Sequence, residues 1–123
     1  MARVDIQVLR NEFPTIAAEM DAIINRAIRK QVLVSEGDVK ENIVRYDAID
    51  TGNMLGSTRG EMTGQKTGLV SVSAESEQGY PYPAAVNYGT RRMAARPFWT
   101  EAEVKAEQEF PGRMRRELEA AIG

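Results

Sequence analysis

Apolar residues recur along this chain at two different periods, and each change of period marks the boundary of an element. Val4, Ile6 and Val8 alternate with Asp5 and Gln7, which is the period of a half-buried strand and predicts a short first strand there. Asn11 then supplies a helix cap, and Pro14 suits a first turn because the amides there have no intrahelical acceptor. A long helix is expected next. Its apolar row runs through Phe13, Ile16, Met20, Ile24, Ala27 and Ile28 and continues through Val32, Val39, Ile43 and Tyr46. Gly37 interrupts the row, and Ser35 with Asp38 offers caps for a fresh start. The continuing period favours one helix over a break near residue 36.

Asp50-Thr51-Gly52-Asn53-Met54-Leu55 reads as a turn whose Asp50 or Thr51 side chain accepts from amides ahead of it and opens a short helix. The period then becomes two. Residues 58 to 64 and 68 to 74 are two strands of a hairpin, with Val70 and Val72 alternating with serines and a polar, mobile tip at Gly64-Gln65-Lys66-Thr67-Gly68. Residues 75 to 82 are irregular, because Pro81 and Pro83 bias their predecessors toward extended geometry. Ala84, Ala85, Val86 and Tyr88 fit a short helix stopped by Gly89. From Pro97 a final helix sets Phe98, Ala102, Ala106, Phe110, Met114, Leu118 and Ile122 at a spacing of four. Pro111 removes a donor within it and predicts a kink or a division near Phe110.

These elements predict an α+β fold: a long N-terminal helix and a C-terminal helix packed on a small, mainly antiparallel β-sheet. The length of 123 residues suits a single domain over residues 1–123. Composition narrows the chemistry. There is no Cys and no His, which removes disulfides, thiolate nucleophiles, the usual metal ligands and the commonest general base near neutral pH. The net charge of -2 gives no overall pull toward nucleic acid or acidic membranes. No apolar run approaches the about 18 residues of a spanning helix, and the amino terminus lacks the apolar core of a signal peptide. The expected protein is soluble, with no catalytic, cofactor-binding or metal-binding residues. Glu41, Asp47 and Asp50 do not form the spaced acidic loop that a hard cation needs.

The densest stretch is Tyr88-Gly89-Thr90-Arg91-Arg92-Met93-Ala94-Ala95-Arg96-Pro97-Phe98. Gly89 is expected at positive φ, ending a helix, and a lone glycine offers no amide cradle for phosphate. Arg91, Arg92 and Arg96 form a basic cluster suited to carboxylates or phosphates, against the plainer reading of a solvated loop. Trp99 is expected partly exposed beside a buried Phe98, as an interface anchor. Tyr80, Tyr82 and Tyr88 are expected to pack under the short helix, since no Lys or Arg interleaves with them before Arg91. Arg113, Arg115, Arg116, Glu117 and Glu119 read as an exposed, locally paired face.

Taken in this order, with its Asp50-Thr51-Gly52 turn and its Tyr82 to Phe98 segment, the chain resembles the head-tail joining proteins, or neck and tail-completion proteins, of long-tailed bacteriophages and prophages. The resemblance spans nearly the whole chain. It carries its structural motif on Asp50, Thr51, Gly52, Tyr88, Gly89, Pro97 and Phe98, and its candidate interface on Arg91, Arg92, Arg96 and Trp99. Two positions depart from the family pattern: Asn87 stands where an acidic residue is usual, and Ala94 where proline is usual. Losing the acid removes a candidate salt bridge to a neighbour, and losing the proline loosens residues 91 to 95.

What the resemblance implies is a structural, non-catalytic virion protein without cofactors. It would assemble as a homo-oligomeric ring in the neck and be a possible monomer when isolated. Its neighbours would be head-closure and tail proteins, with double-stranded DNA passing through the ring without specific recognition. Its location would be the virion neck, after assembly in the bacterial host cytoplasm, with no membrane partner. The hairpin tip is the candidate for ordering on docking. The rival reading is a nucleic-acid-binding module that uses the Arg91 to Arg96 loop. An enzyme built from carboxylates, Lys or Tyr has no supporting spacing.

Overall fold

The computed structural model describes residues 6–47 and 51–122, with side chains described from residue 17 onward except that of Thr51. Helix α1 is Ile6–Arg45, α2 Thr51–Ser57, β1 Thr58–Gly64, β2 Thr67–Val72, α3 Pro83–Tyr88 and α4 Phe98–Ile122. Helices α1 and α4 pack along each other, and the antiparallel hairpin β1–β2 lies against α1. This is the α+β architecture that the periodicities predict.

The N-terminal strand is not formed where it is described: residues 6 to 8 belong to α1, and Val4 and Asp5 lie outside the described residues. Asn11 and Pro14 therefore sit inside the helix and do not start it. Three alternating residues give a weak strand signal, and among the described residues the sheet has two strands that already pair with each other. Further along, α1 runs through Gly37 without a break. Neither Ser35 nor Asp38 caps a new helix; Ser35 accepts from Gln31 Nε2 at 3.1 Å, and Asp38 pairs with Lys105 of α4 at 3.1 Å.

The core gathers Val39 and Ile43 of α1, Met54 of α2, Ala74, Val86 of α3, and Phe98 and Ala102 of α4. Phe98, Ile43 and Met54 are its largest fully buried side chains, each contributing about 1.5–3 kcal/mol by leaving water. Every element but β1 places a residue in or beside this cluster. Further toward the N-terminal end of the same face of α1 the hairpin comes so close that a Cβ on Gly68 would lie 2.5 Å from Val32 Cγ2. Glycine is what permits that approach.

The hairpin pairs Thr58 with Val72 and Glu61 with Leu69, with an irregularity between Met62 and Gly64. Its tip is not loose. Lys66 takes a φ of 60°, its amide donates to Asn25 Oδ1, and its ammonium pairs with Asp21 at 3.1 Å. The tip is thus tied to α1 before any docking, contrary to the mobile tip expected from its polar sequence.

Helix α4 passes through Pro111 undivided. Proline leaves the Glu107 carbonyl without its helical donor, but both residues are exposed, so that carbonyl is not stranded in the interior. The spacing-four row also departs from expectation: Phe98 and Ala102 are buried, whereas Ile122 is 81% exposed. A step of four residues overshoots one turn by about 40° at 3.6 residues per turn, so the row winds off the contact face. Glu117 arrives there instead and is buried. It pairs with Lys30 and with Arg26 of α1, while Arg113 Nε donates to the buried Gln31 Oε1 at 3.0 Å. Arg113 and Glu117 are therefore inter-helix ties and not part of a solvated face; Arg115, Arg116 and Glu119 are exposed as expected.

Candidate docking surface

Everything that distinguishes this surface is built between the end of α3 and the start of α4. Pro83 opens α3 in the position where its missing amide costs nothing. Gly89 closes it at φ 79°, with its amide donating to Ala85 O at 2.8 Å. A Cβ at Gly89 would lie 2.8 Å from Ala95 N and 3.0 Å from Met93 O. Both conformation and space therefore demand glycine.

Beyond Gly89 the chain folds into a tight turn. Thr90 N donates to Met93 O at 2.9 Å, Met93 N returns a bond to Thr90 O at 3.3 Å, and Arg92 N donates to Thr90 Oγ1 at 3.2 Å. Arg91 and Arg92 form the tip of that turn. Both are exposed, and neither side chain makes an ion pair or hydrogen bond with any described residue. Met93, immediately after them, is half-buried against the core and anchors the turn from below. Arg96 is different. Its amide donates to Val86 O at 2.8 Å, and its guanidinium donates through Nη1 to Asp47 O at 2.8 Å. The sequence suggests a cluster of three arginines, whereas the fold presents two and uses the third as a brace.

The start of α4 is held from three sides. Asn87 is buried, and its Oδ1 accepts from Trp99 N and from Thr100 N, each at 3.0 Å, while its Nδ2 donates to Thr100 Oγ1 at 2.9 Å. Those two amides belong to the first turn of α4 and have no intrahelical acceptor, so Asn87 caps α4 from a distance. Asn42 Nδ2 of α1 donates to Phe98 O at 3.0 Å. Glu101 accepts from both Arg45 and Tyr46 at the end of α1. Those bonds, that from Tyr46 foremost, hold the Glu101 carboxyl below its ordinary range, and the same bond raises the Tyr46 hydroxyl.

Of the residues singled out from sequence, Phe98 is 1% exposed and Trp99 partly exposed, as expected, with the Trp99 indole donating to Glu103 Oε2 at 3.1 Å. Pro97 immediately precedes α4. Thr51 opens α2 and Gly52 is exposed in it, while Asp50 lies outside the described residues. The tyrosines do not all pack under α3: Tyr80 is exposed and Tyr88 is 72% exposed, and Tyr82 alone reaches the core, its hydroxyl accepting from Asn53 Nδ2 at 3.0 Å. Asn87 was legible only as a departure from a family pattern. Its capping role has no local signature, because the amides that donate to it stand 12 and 13 residues further on.

Among the described residues no group of three or more Asp or Glu is placed to hold a metal ion, and no described helix is long and apolar enough to cross a membrane. What the surface offers chemically is two guanidinium groups with unused donors on a backbone-bonded turn, with the exposed Tyr88 three residues before Arg91. Comparison with protein-family models, with curated proteins and with solved structures finds no match.

Proposed function

We propose that this chain is a structural subunit of the neck of a long-tailed phage or prophage virion, joining the DNA-filled head to the tail as one member of an oligomeric ring. The reading rests on the sequence resemblance, and one structural observation supports it above the others. Arg91 and Arg92 stand at the tip of a turn whose own backbone bonds, Gly89 and Met93 keep it in shape, and nothing within the described residues neutralises them. A backbone turn that is already shaped loses little entropy on docking, and its two guanidinium groups suit bidentate pairing with carboxylates of a neighbour. In a ring, one face of each subunit meets a different face of the next, so acidic groups of an adjacent subunit or ring are the expected partners. No catalytic role is proposed.

The rival nucleic-acid-binding reading calls on Arg91, Arg92 and Arg96 together. One donor of the Arg96 guanidinium is already engaged by Asp47 O, and the whole chain carries a net charge of -2, so the loop offers phosphate two wholly unengaged guanidinium groups and no supporting overall field. Electron microscopy separates the readings. Particles assembled without this chain should be filled heads and free tails, and joined virions in its absence would overturn the neck assignment. Adding the Arg91→Glu, Arg92→Glu protein should fail to restore joining; restoration at the wild-type level would remove the docking role of the pair. Strong, salt-dependent DNA affinity of the isolated protein would favour the rival.

A further inference from the structure

Strand β2 has a bare edge. Residues 67 to 72 pair with β1 on one side, and among the described residues no backbone or side-chain group bonds the other side. The outer edge of β1 is treated differently, for Glu36 Oε2 of α1 accepts from Gly60 N at 3.1 Å. Unpaired strand edges are templates for another strand, and proteins ordinarily blunt them with charge or proline. The β2 sequence Thr-Gly-Leu-Val-Ser-Val has neither.

A groove follows that edge. Two cavities of about 230 and 330 Å³ adjoin at Val70 and Trp99. The first separates Gly68, Leu69 and Val70 from Ala102 and Ala106 of α4; the second separates Val70, Ser71 and Val72 from α3 and Phe98. Successive residues of β2 line it, not alternate ones. Since alternate side chains take opposite faces of a strand, the groove runs along the edge of the sheet and not across one face.

The far wall carries charge that the fold leaves unused. Glu103 lines the first cavity, and Glu107, outside that lining, follows one turn further along α4; both are exposed. Within the described residues Glu103 meets only the neutral indole N–H of Trp99, and Glu107 has no polar partner. β2 brings no compensating cation.

We propose that this groove binds an extended segment of a partner polypeptide by strand addition. The segment pairs its backbone with β2, seats apolar side chains of alternate positions in the two cavities, and carries Lys or Arg at the intervening positions within reach of Glu103 and Glu107. Backbone bonds supply affinity in such additions, and pockets for alternate side chains supply specificity. The assignment is independent of the neck reading and of Arg91 and Arg92.

Trp99 lines both cavities and is the sole tryptophan of the chain, so its emission reports occupancy directly. The probes are heptapeptides of alternating Val and Lys, the same peptide with Glu in place of Lys, and the Val/Lys peptide N-methylated at alternate residues on its β2-facing edge. The Val/Lys peptide should shift the full-chain emission saturably, the Glu peptide should bind at least tenfold more weakly, and the N-methylated peptide should give no shift. The Glu103→Gln, Glu107→Gln protein should lose most of the preference for Lys with its circular dichroism unchanged. No shift with the Val/Lys peptide at millimolar concentration, or equal binding of either control, would overturn the proposal. So would a protein-concentration-dependent shift without peptide, which would give the edge to a second copy of the chain.

Discussion

The Asn87 side-chain oxygen accepts from the amides of both Trp99 and Thr100 at 3.0 Å, so the last turn of α3 caps the first turn of α4. An acidic residue at this position would supply the same acceptor with a charge that the positive end of a helix favours. Asn87 therefore acts as a neutral cap, with its side chain turned inward.

Asn87→Ala should destabilise the fold by about 1–3 kcal/mol, since it strands two amides and the Thr100 hydroxyl. Asn87→Asp should lie within about 1 kcal/mol of wild type at pH 7. Urea unfolding followed by circular dichroism measures both, and an alanine variant as stable as wild type would refute the cap.

Gly89→Ala should cost about 1–3 kcal/mol or more, because the new methyl group meets backbone at Ala95 and Met93 and the φ of 79° disfavours a side chain. Proteolysis at Arg91 or Arg92 should quicken at the same time, as the turn loses its fixed shape. Unchanged thermal midpoint and cleavage rate would contradict this account of the turn.

Glu117 ties α4 to Lys30 and Arg26, and the hydrogen bond from Lys30, partly opposed by burial, lowers its carboxyl below the ordinary value of 4.5. A group whose folded pKa is depressed stabilises fully above its unfolded pKa and loses that contribution as pH falls through the folded value. The difference in urea midpoint between wild type and Glu117→Gln should hold from pH 7 down to about 4.5 and close below it. A difference independent of pH would show that the carboxylate charge contributes nothing.

The Arg91→Glu, Arg92→Glu double substitution should change stability by less than about 0.5 kcal/mol, as surface substitutions without partners do. Arg96→Ala should cost about 1–2 kcal/mol through the lost bond to Asp47 O. Denaturant midpoints of the two proteins test whether the arginines divide into presented and structural members.

Local rules were sufficient for the elements whose signals lie within a few residues. The long period of α1 outweighed Gly37, whose cost of about 1 kcal/mol is small against a helix packed along its length. The two-residue period of 58 to 72 fixed the hairpin, and Gly89 with Pro97 fixed the end of α3 and the start of α4. The partly exposed Trp99 beside a buried Phe98 was legible for the same reason. Short signals misled: Ile6 and Val8 alternate like a strand yet lie in a helix, since two or three residues bring too little pairing energy to resist the adjoining helix.

Only tertiary structure decided which arginines face outward, which carboxylates are buried and where the open edge lies. Those outcomes depend on pairs far apart in sequence, such as Arg96 with Asp47, Glu117 with Lys30 and Asn87 with Thr100. A charged side chain has the same local propensity whether it meets water or a partner from another helix, so no spacing along the chain distinguishes the two. The sequence determined the helices, the hairpin and the turn; the packing of α4 on α1 determined what the turn presents.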